Sequence, residues 1–129
     1  MQDLPSYLQY GEAVTVEAGT SIFLPGKDLE PQPIYYVVAG LVRLSIPRGG
    51  GCALAVYAAP DTLFGIVETM SGGPRLMEAR TIERTILYRW DDEGYQNAHN
   101  VSWELAFQTF SCLSRMLRIL NAEYAEARA

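Results

Sequence analysis

Positive charge is scarce in this chain of 129 residues. Ten lysine and arginine residues stand against fifteen aspartate and glutamate residues, which gives a net charge of -5, and Lys27 is the only lysine. A surface with this balance repels a phosphate backbone, so the chain by itself is a poor candidate for binding nucleic acid.

Metal-binding residues and thiols are also few. His99 is the only histidine, which excludes the two or three histidines plus carboxylate of a cupin-type metal site. Cys52 and Cys112 lie 60 residues apart without CxxC spacing, so we expect two free thiols. The sequence contains no GxSxG, P-loop or GxGxxG motif, and we predict that it is not an enzyme.

Long apolar runs are missing as well. No stretch of 18 apolar residues and no basic-then-apolar leader occurs, so the sequence predicts neither a membrane span nor a secretion signal. We therefore expect a cytoplasmic protein without membrane partners.

Short β-forming segments separated by turn signals fill residues 1–90. Glycine and proline stand between the segments, as in Ala18-Gly19 and Pro25-Gly26. Many short strands at close spacing predict a β-sandwich or a small β-barrel. The predicted strands are Ala13–Glu17, Ser21–Leu24, Ile34–Val38, Leu41–Ile46, Cys52–Tyr57, Met77–Ile82 and Arg84–Trp90.

Two turns can be placed within this β region. The stretch Tyr35–Pro47, YYVVAGLVRLSIP, contains two β-branched and aromatic runs with Gly40 between them. We predict a hairpin in which Gly40 makes a turn that would strain a residue with a side chain. The run RGGG, Arg48–Gly51, predicts a second hairpin turn.

From Asp91 onward the sequence becomes helical in character, with no proline and with Gly94 as the only glycine. Residues 91–100 are predicted to form a short helix, Asp91–Ala98, and a linker. The acidic residues at the start of this helix complement its dipole. Residues 101–129 are predicted to form one long helix capped by Asn100 or Ser102.

One apolar stripe of the long helix, here called the heptad seam, has residues spaced alternately three and four apart. A second apolar line lies on a neighbouring face, so the helix needs two partners. One is its own β domain, and the other is the same helix of a second copy, since twofold homodimers are the commonest oligomers. The alternative is that the whole stripe belongs to the core of one chain. The seam is Trp103, Ala106, Phe110, Leu113, Leu117, Leu120, Tyr124 and Ala127, with Phe110, Leu113, Leu117, Leu120 and Tyr124 as the predicted dimer interface; the second line is Leu105, Cys112, Met116 and Ile119.

A β-roll followed by a short helix and a long heptad helix resembles the N-terminal effector domain of the Crp/Fnr family of bacterial transcription regulators. AGTSIFLPGKDLEPQPIYYVVAGLVRLS looks like that family's early strands, DTLFGIVETMSGGPR resembles its ligand loop, and MEARTIERTILYRW looks like its closing strands. The resemblance implies a mainly β fold, the cyclic-nucleotide-binding-like double-stranded β-helix or jelly roll, followed by a long dimerisation helix. It also implies a sensing function.

The ligand loop departs from the nucleotide-binding members of the family, which carry Gly-Glu after an apolar residue and later an Arg followed by a small residue. Phe64-Gly65 matches the start, but Ile66 stands in place of the glutamate, and Glu68 comes two residues later on what we predict to be an extended segment. Arg75 resembles the arginine element, but Leu76 replaces the small residue. Without its acid the pocket lacks its sugar contact, so we predict no response to cyclic nucleotides. A solvated loop pair is the alternative role of Glu68 and Arg75.

The resemblance leaves the effector and any cofactor unknown. An iron–sulfur cluster of the kind used by the oxygen-sensing branch needs four ligands, which two distant cysteines do not supply. Haem or redox ligation stays open for Cys52, Cys112 and His99, although we expect His99 to be an exposed residue at the start of the long helix.

An apolar interior of the roll is the remaining candidate, either as plain core or as the wall of a pocket for a small hydrophobic effector. Arg118 and Asn121 on the long helix are candidate sensors of the ligand, with simple solvent exposure as the alternative. The interior residues are Leu54, Val56, Tyr57, Leu63, Phe64, Ile66, Met70, Leu76 and Met77. The candidate ligand-binding residues are Phe64, Gly65, Ile66, Glu68, Arg75, Leu76, Arg118 and Asn121.

In complete regulators of this family the dimerisation helix leads through a hinge into a helix-turn-helix domain, for which this sequence carries no counterpart. The sequence ends in AEYAEARA, about where that hinge would begin. We therefore expect a fragment of a longer regulator, which binds DNA only through a domain absent from this chain. A stand-alone, non-enzymatic module that binds a small ligand is the alternative.

Overall fold

The computed structural model describes residues 4–26, 33–48, 51–71 and 74–128. These residues form eight β-strands, three α-helices and a short 3-10 helix, Ser6–Tyr10. The strands are β1 Glu12–Val16, β2 Ser21–Phe23, β3 Ile34–Ala39, β4 Val42–Arg48, β5 Gly51–Ala58, β6 Leu63–Phe64, β7 Glu78–Thr81 and β8 Thr85–Trp90. The helices are α1 Ile66–Ser71, α2 Asp92–Val101 and α3 Trp103–Arg128.

The strands form two four-stranded antiparallel sheets. Sheet 1 has the order β1-β8-β3-β6, and sheet 2 has the order β2-β7-β4-β5. A β region followed by C-terminal helices agrees with the mainly β architecture that the sequence predicts.

Strand β3 is buried on both faces, which explains its uninterrupted apolar sequence IYYVVA. Because side chains alternate along a strand, Tyr35 and Val37 join the core between the two sheets, whereas Ile34 and Tyr36 join the core beneath the helices. Sheet 1 therefore separates sheet 2 from α2 and from the first half of α3, whereas Met116 further along α3 packs against the core between the two sheets.

Gly40 lies at a corner between the two sheets, so the predicted hairpin of Tyr35–Pro47 is wrong. Strand β3 pairs with β6 and β8, while β4 pairs with β5 and β7. Alternating apolar residues predict strands, but pairing depends on residues far away in sequence. The predicted strain at Gly40 is present, because its φ is +102° and a Cβ would lie 2.7 Å from the carbonyl oxygen of Arg84. The second predicted hairpin agrees with the pairing of Arg48 with Gly51.

The sequence does not predict three of the observed elements: the 3-10 helix, β6 and α1. Strand β6 has only two residues, too few to produce an alternating pattern. Helix α1 covers the segment around Glu68 that the sequence predicts as extended. Gly65, with φ +81°, turns the chain between β6 and α1. Strand β6 therefore ends at Phe64, and the segment around Glu68 that the sequence predicts as extended is helical.

Both C-terminal helices begin with a side-chain cap. The Asp91 carboxylate accepts a hydrogen bond of 2.7 Å from the backbone N–H of Gly94, which confirms the predicted acidic start of α2. Helix α2 continues to Val101, three residues beyond the predicted end. Ser102 is the cap of α3, since its Oγ accepts a hydrogen bond from the backbone N–H of Leu105 at 3.2 Å.

Candidate effector-binding site

An apolar groove of about 150 Å³ lies between the β-roll and α3. Its floor comes from β2 and β4 of sheet 2, its sides come from the β6–α1 segment and from the residues before β7, and α3 covers it. The lining residues are Phe23, Leu44, Ile46, Leu63, Phe64, Gly65, Ile66, Val67, Leu76, Met77, Cys112, Leu113, Met116 and Leu120. None of these side chains is charged, so the groove suits an apolar molecule.

Arg75, which the sequence left open as a solvated loop residue, is buried to 3% exposure. Its guanidinium donates hydrogen bonds of 2.9 Å to the carbonyl oxygen of Gly65 and 2.6 Å to that of Pro33. It also lies over the ring of Phe23, with 4.2 Å from Cζ to the ring centroid. The guanidinium therefore holds the β6–α1 turn in place, and the solvated alternative is wrong for Arg75.

Gly65 makes this arrangement possible in two ways. Its positive φ turns the chain into α1, and a Cβ at this position would lie 3.0 Å from Nη1 of Arg75. The next residue, Ile66, is the first residue of α1 and is buried. By the resemblance drawn from the sequence, its position corresponds to that of the carboxylate in the nucleotide-binding members of the family. An apolar side chain thus stands where a sugar hydroxyl would need an acceptor.

The predicted ligand residues separate into three groups. Phe64, Gly65, Ile66 and Leu76 line the groove, while Arg75 supports its wall from behind. Arg118 and Asn121 are exposed on α3 and are not among the lining residues. The side chain of Glu68 lies outside the described part of the structure.

The predicted apolar interior is correct for Leu63 and Met77, which line the groove, and for Leu54, which is buried. Tyr57 and Leu76 do not belong to the interior, because they are 55% and 61% exposed, although Leu76 lines the groove. Val56 lines a second cavity, of about 100 Å³. The side chain of Met70 lies outside the described part of the structure.

Burial also changes the pKa of Tyr35, whose ring packs against the groove residue Phe64. Tyr35 stacks on Phe64, with ring centroids 5.0 Å apart, and desolvation by burial raises the pKa of its hydroxyl while Arg75 opposes that rise.

Cys112 lies in the wall of the groove and is buried. Its Sγ accepts hydrogen bonds from the backbone N–H of Leu63 at 3.4 Å and from Nη2 of Arg115 at 3.5 Å. The sequence predicts Cys112 and Met116 on the second apolar line of the helix, and this helical spacing does not distinguish a groove wall from plain core. The side chain of Cys52 is outside the described residues.

His99 lies in the last turn of α2 and not at the start of α3, so its predicted position is wrong. It is half-buried, and its ring lies 5.5 Å from that of Tyr95. No group of three or more His, Cys, Asp or Glu residues within the described ranges is arranged to hold a metal ion.

The heptad seam of α3 is largely exposed on the single chain. Phe110 is 72% exposed and Leu117 is 59% exposed, whereas Leu105 and Cys112 on the second line are buried against the β-roll. Leu113 packs against the core, and the side chain of Tyr124 is outside the described residues. The dimer interface stays a prediction that this exposure favours. None of the helices in the described ranges is both long enough and apolar enough to cross a lipid bilayer.

Several solved structures share this fold. The catabolite activator protein of Thermus thermophilus is 28% identical with a TM-score of 0.77, and the match covers 95% of this chain and 57% of that protein. Oxidized CprK in complex with o-chlorophenolacetic acid is 18% identical with a TM-score of 0.72, covering 93% of this chain and 48% of that protein. The N-terminal domain of a transcriptional regulator from Streptomyces coelicolor A3(2) is 23% identical with a TM-score of 0.61, covering 88% and 81% respectively.

The chain therefore has the cyclic-nucleotide-binding-like jelly-roll fold of a Crp/Fnr-type effector domain, and the resemblance predicted from its sequence is confirmed. The match to the Thermus catabolite activator protein covers nearly all of this chain but only 57% of the length of that protein. No protein-family model and no curated protein matches the sequence.

Proposed function

We propose that this chain is a ligand-sensing dimerisation domain of a transcription regulator, that it is not an enzyme, and that its effector is a small apolar molecule bound in the groove. Binding to DNA would belong to a separate domain, as the coverage of the Thermus regulator suggests. Cyclic nucleotides are not the effector in this proposal.

One observation carries the proposal: the same residues of α3 line the groove and belong to the heptad seam. Leu113 and Leu120 are members of both sets. A molecule that enters the groove therefore contacts side chains that the predicted dimer partner also contacts. Ligand binding would favour one arrangement of the two helices over another, and this shift would re-aim attached DNA-binding domains.

The chemistry of the groove supports an apolar effector. Cyclic nucleotides need an acceptor for the sugar hydroxyl and a free guanidinium for the phosphate. Ile66 supplies no acceptor, and Arg75 already donates to two backbone carbonyls. A cavity of about 150 Å³ holds one aromatic ring, and the solved CprK complex contains a chlorinated aromatic acid.

Thermal unfolding with chlorobenzene and with cyclic AMP as separate additives tests the proposal. A molecule that binds only the folded state must raise the unfolding temperature. We expect millimolar chlorobenzene to raise it by several degrees, and millimolar cyclic AMP or cyclic GMP to leave it unchanged. Met116→Trp, which fills the groove, should abolish the rise, whereas Ile82→Trp at an exposed site should preserve it.

The opposite pattern would refute the proposal. A rise of several degrees with cyclic AMP would show that the nucleotide binds despite Ile66. Equal stabilisation of wild type and Met116→Trp by chlorobenzene would show that the molecule binds elsewhere.

A further inference from the structure

A second cavity of about 100 Å³ adjoins the groove and is also lined by α3 and the β-roll. The two cavities have four wall residues in common: Leu44, Leu63, Cys112 and Met116. Met116 is unbranched and has three rotatable bonds, so a rotation of its side chain can open one cavity toward the other. A ligand longer than a single ring would thus reach from the groove into the second cavity.

Within the described ranges, Arg115 is the only charged residue that lines either cavity. Its guanidinium donates a long hydrogen bond of 3.5 Å to Sγ of Cys112, which is a weak acceptor. Among the residues that the structure describes, no carboxylate lies within salt-bridge distance of it. A cation at the edge of an apolar cavity, held only by a thiol, has unused capacity to bind an anion.

The sequence of α3 supports a local excess of positive charge. Between Glu104 and Glu123 the only charged residues are Arg115 and Arg118. The chain as a whole carries a net charge of -5, so this acid-free stretch differs from the rest of the molecule. Part of this stretch lines the two cavities, and Arg115 is exposed there, so its guanidinium is accessible to a carboxylate.

We propose that the effector is an amphipathic organic acid, whose apolar body fills the groove and whose carboxylate pairs with Arg115 in the second cavity. This inference rests on the proposed function, because it assumes that the groove binds the effector. A carboxylate brought into an apolar cavity needs a charged partner, and Arg115 is the one that the described walls offer. The planar guanidinium can bind both carboxylate oxygens at once.

Titration calorimetry with matched acids and alcohols tests the inference. The probes are phenylacetate, 3-phenylpropionate and 4-phenylbutyrate, each compared with the alcohol of the same length. We expect at least one acid to bind wild type about tenfold or more tighter than its alcohol, since a hydrogen bond to a charged group contributes about that much. Arg115→Gln should remove this difference without weakening the alcohol.

Arg118→Gln is the matched control. It removes the same charge about one helical turn from Arg115, and Arg118 does not line either cavity. It should retain the preference for the acid. Equal binding of acid and alcohol by wild type, or equal losses in the two variants, would overturn the inference and leave the apolar groove as the effector site. Binding of neither probe series, together with no stabilisation by chlorobenzene, would overturn the proposed function as well.

Discussion

Two residues of the β-roll show how a single position shapes the site. Arg75 is a long, charged residue in a polar-looking loop, yet it is buried because two backbone carbonyls and the ring of Phe23 satisfy its guanidinium. Gly40 has no side chain because the chain passes between the sheets against the backbone of Arg84 and Thr85. In both cases the neighbours that decide the role lie far away in sequence.

Gly40→Ala should destabilise the domain by about 2 kcal/mol or more, because positive φ and the close approach to Arg84 both oppose a Cβ. Gly19→Ala is the control, since Gly19 also has a positive φ, of +75°, but nothing lies within 4 Å of its added Cβ. It should cost only about 1 kcal/mol. Urea unfolding measures both, and equal losses would show that the close approach at Gly40 contributes nothing.

At the scale of elements, α3 has two apolar faces with different fates. The line through Leu105 and Cys112 is buried against the β-roll, whereas the seam through Phe110 and Leu117 is exposed on the single chain. Burying this exposed apolar surface against another surface would be strongly favourable, because apolar area is then removed from water.

Light scattering of wild type and Leu117→Asp tests this pairing. Wild type should have a mass near twice 14.3 kDa, and Leu117→Asp should dissociate or aggregate because it places a charge in the seam. Ala122→Asp adds the same charge at an exposed position on the other side of α3 and should remain a dimer. A monomeric wild type at high micromolar concentration would refute the dimer.

At the scale of the whole molecule, buried tyrosines join the layers. Tyr7 contacts Tyr36 and Trp90, and Tyr95 shares a hydrogen bond with Thr109 of α3. Desolvation by burial raises the pKa of Tyr7, Tyr36 and Tyr95 above the ordinary value, and for Tyr36 the hydrogen bond to Asp61 raises it further. The folded domain therefore holds protons that the unfolded chain loses above about pH 10.

The free energy of unfolding should fall as the pH rises above about 10, because the unfolded state then binds fewer protons than the folded state. This contribution is complete below the unfolded pKa, so these groups predict no change between about pH 7 and about pH 9. Tyr7→Phe should reduce the fall at pH 11 by about 1 kcal/mol. Urea unfolding at each pH measures the free energy of unfolding. An identical fall in wild type and Tyr7→Phe would show that Tyr7 does not contribute to the pH dependence.

Much of the architecture follows from the local sequence. Alternating apolar residues predict most of the strands, and the acidic start at Asp91 predicts α2. The spacing of the seam predicts a long helix with a second apolar face that its own β domain does not cover. These features depend on the periods of strands and helices and on caps, which act over a few residues. The departure of Ile66 from the nucleotide-binding pattern is likewise visible in the sequence.

The pairing of the strands and the chemistry of the groove depend on the tertiary structure alone. Sheet order places β3 and β4 in different sheets, brings Pro33 and Gly65 to the guanidinium of Arg75, and sets Arg115 beside the second cavity. No local pattern distinguishes Arg115 from Arg118, because their environments are created by strands more than fifty residues earlier in the chain. Long-range packing decides that Arg115 lines a cavity and that Arg118 does not, although both side chains are exposed.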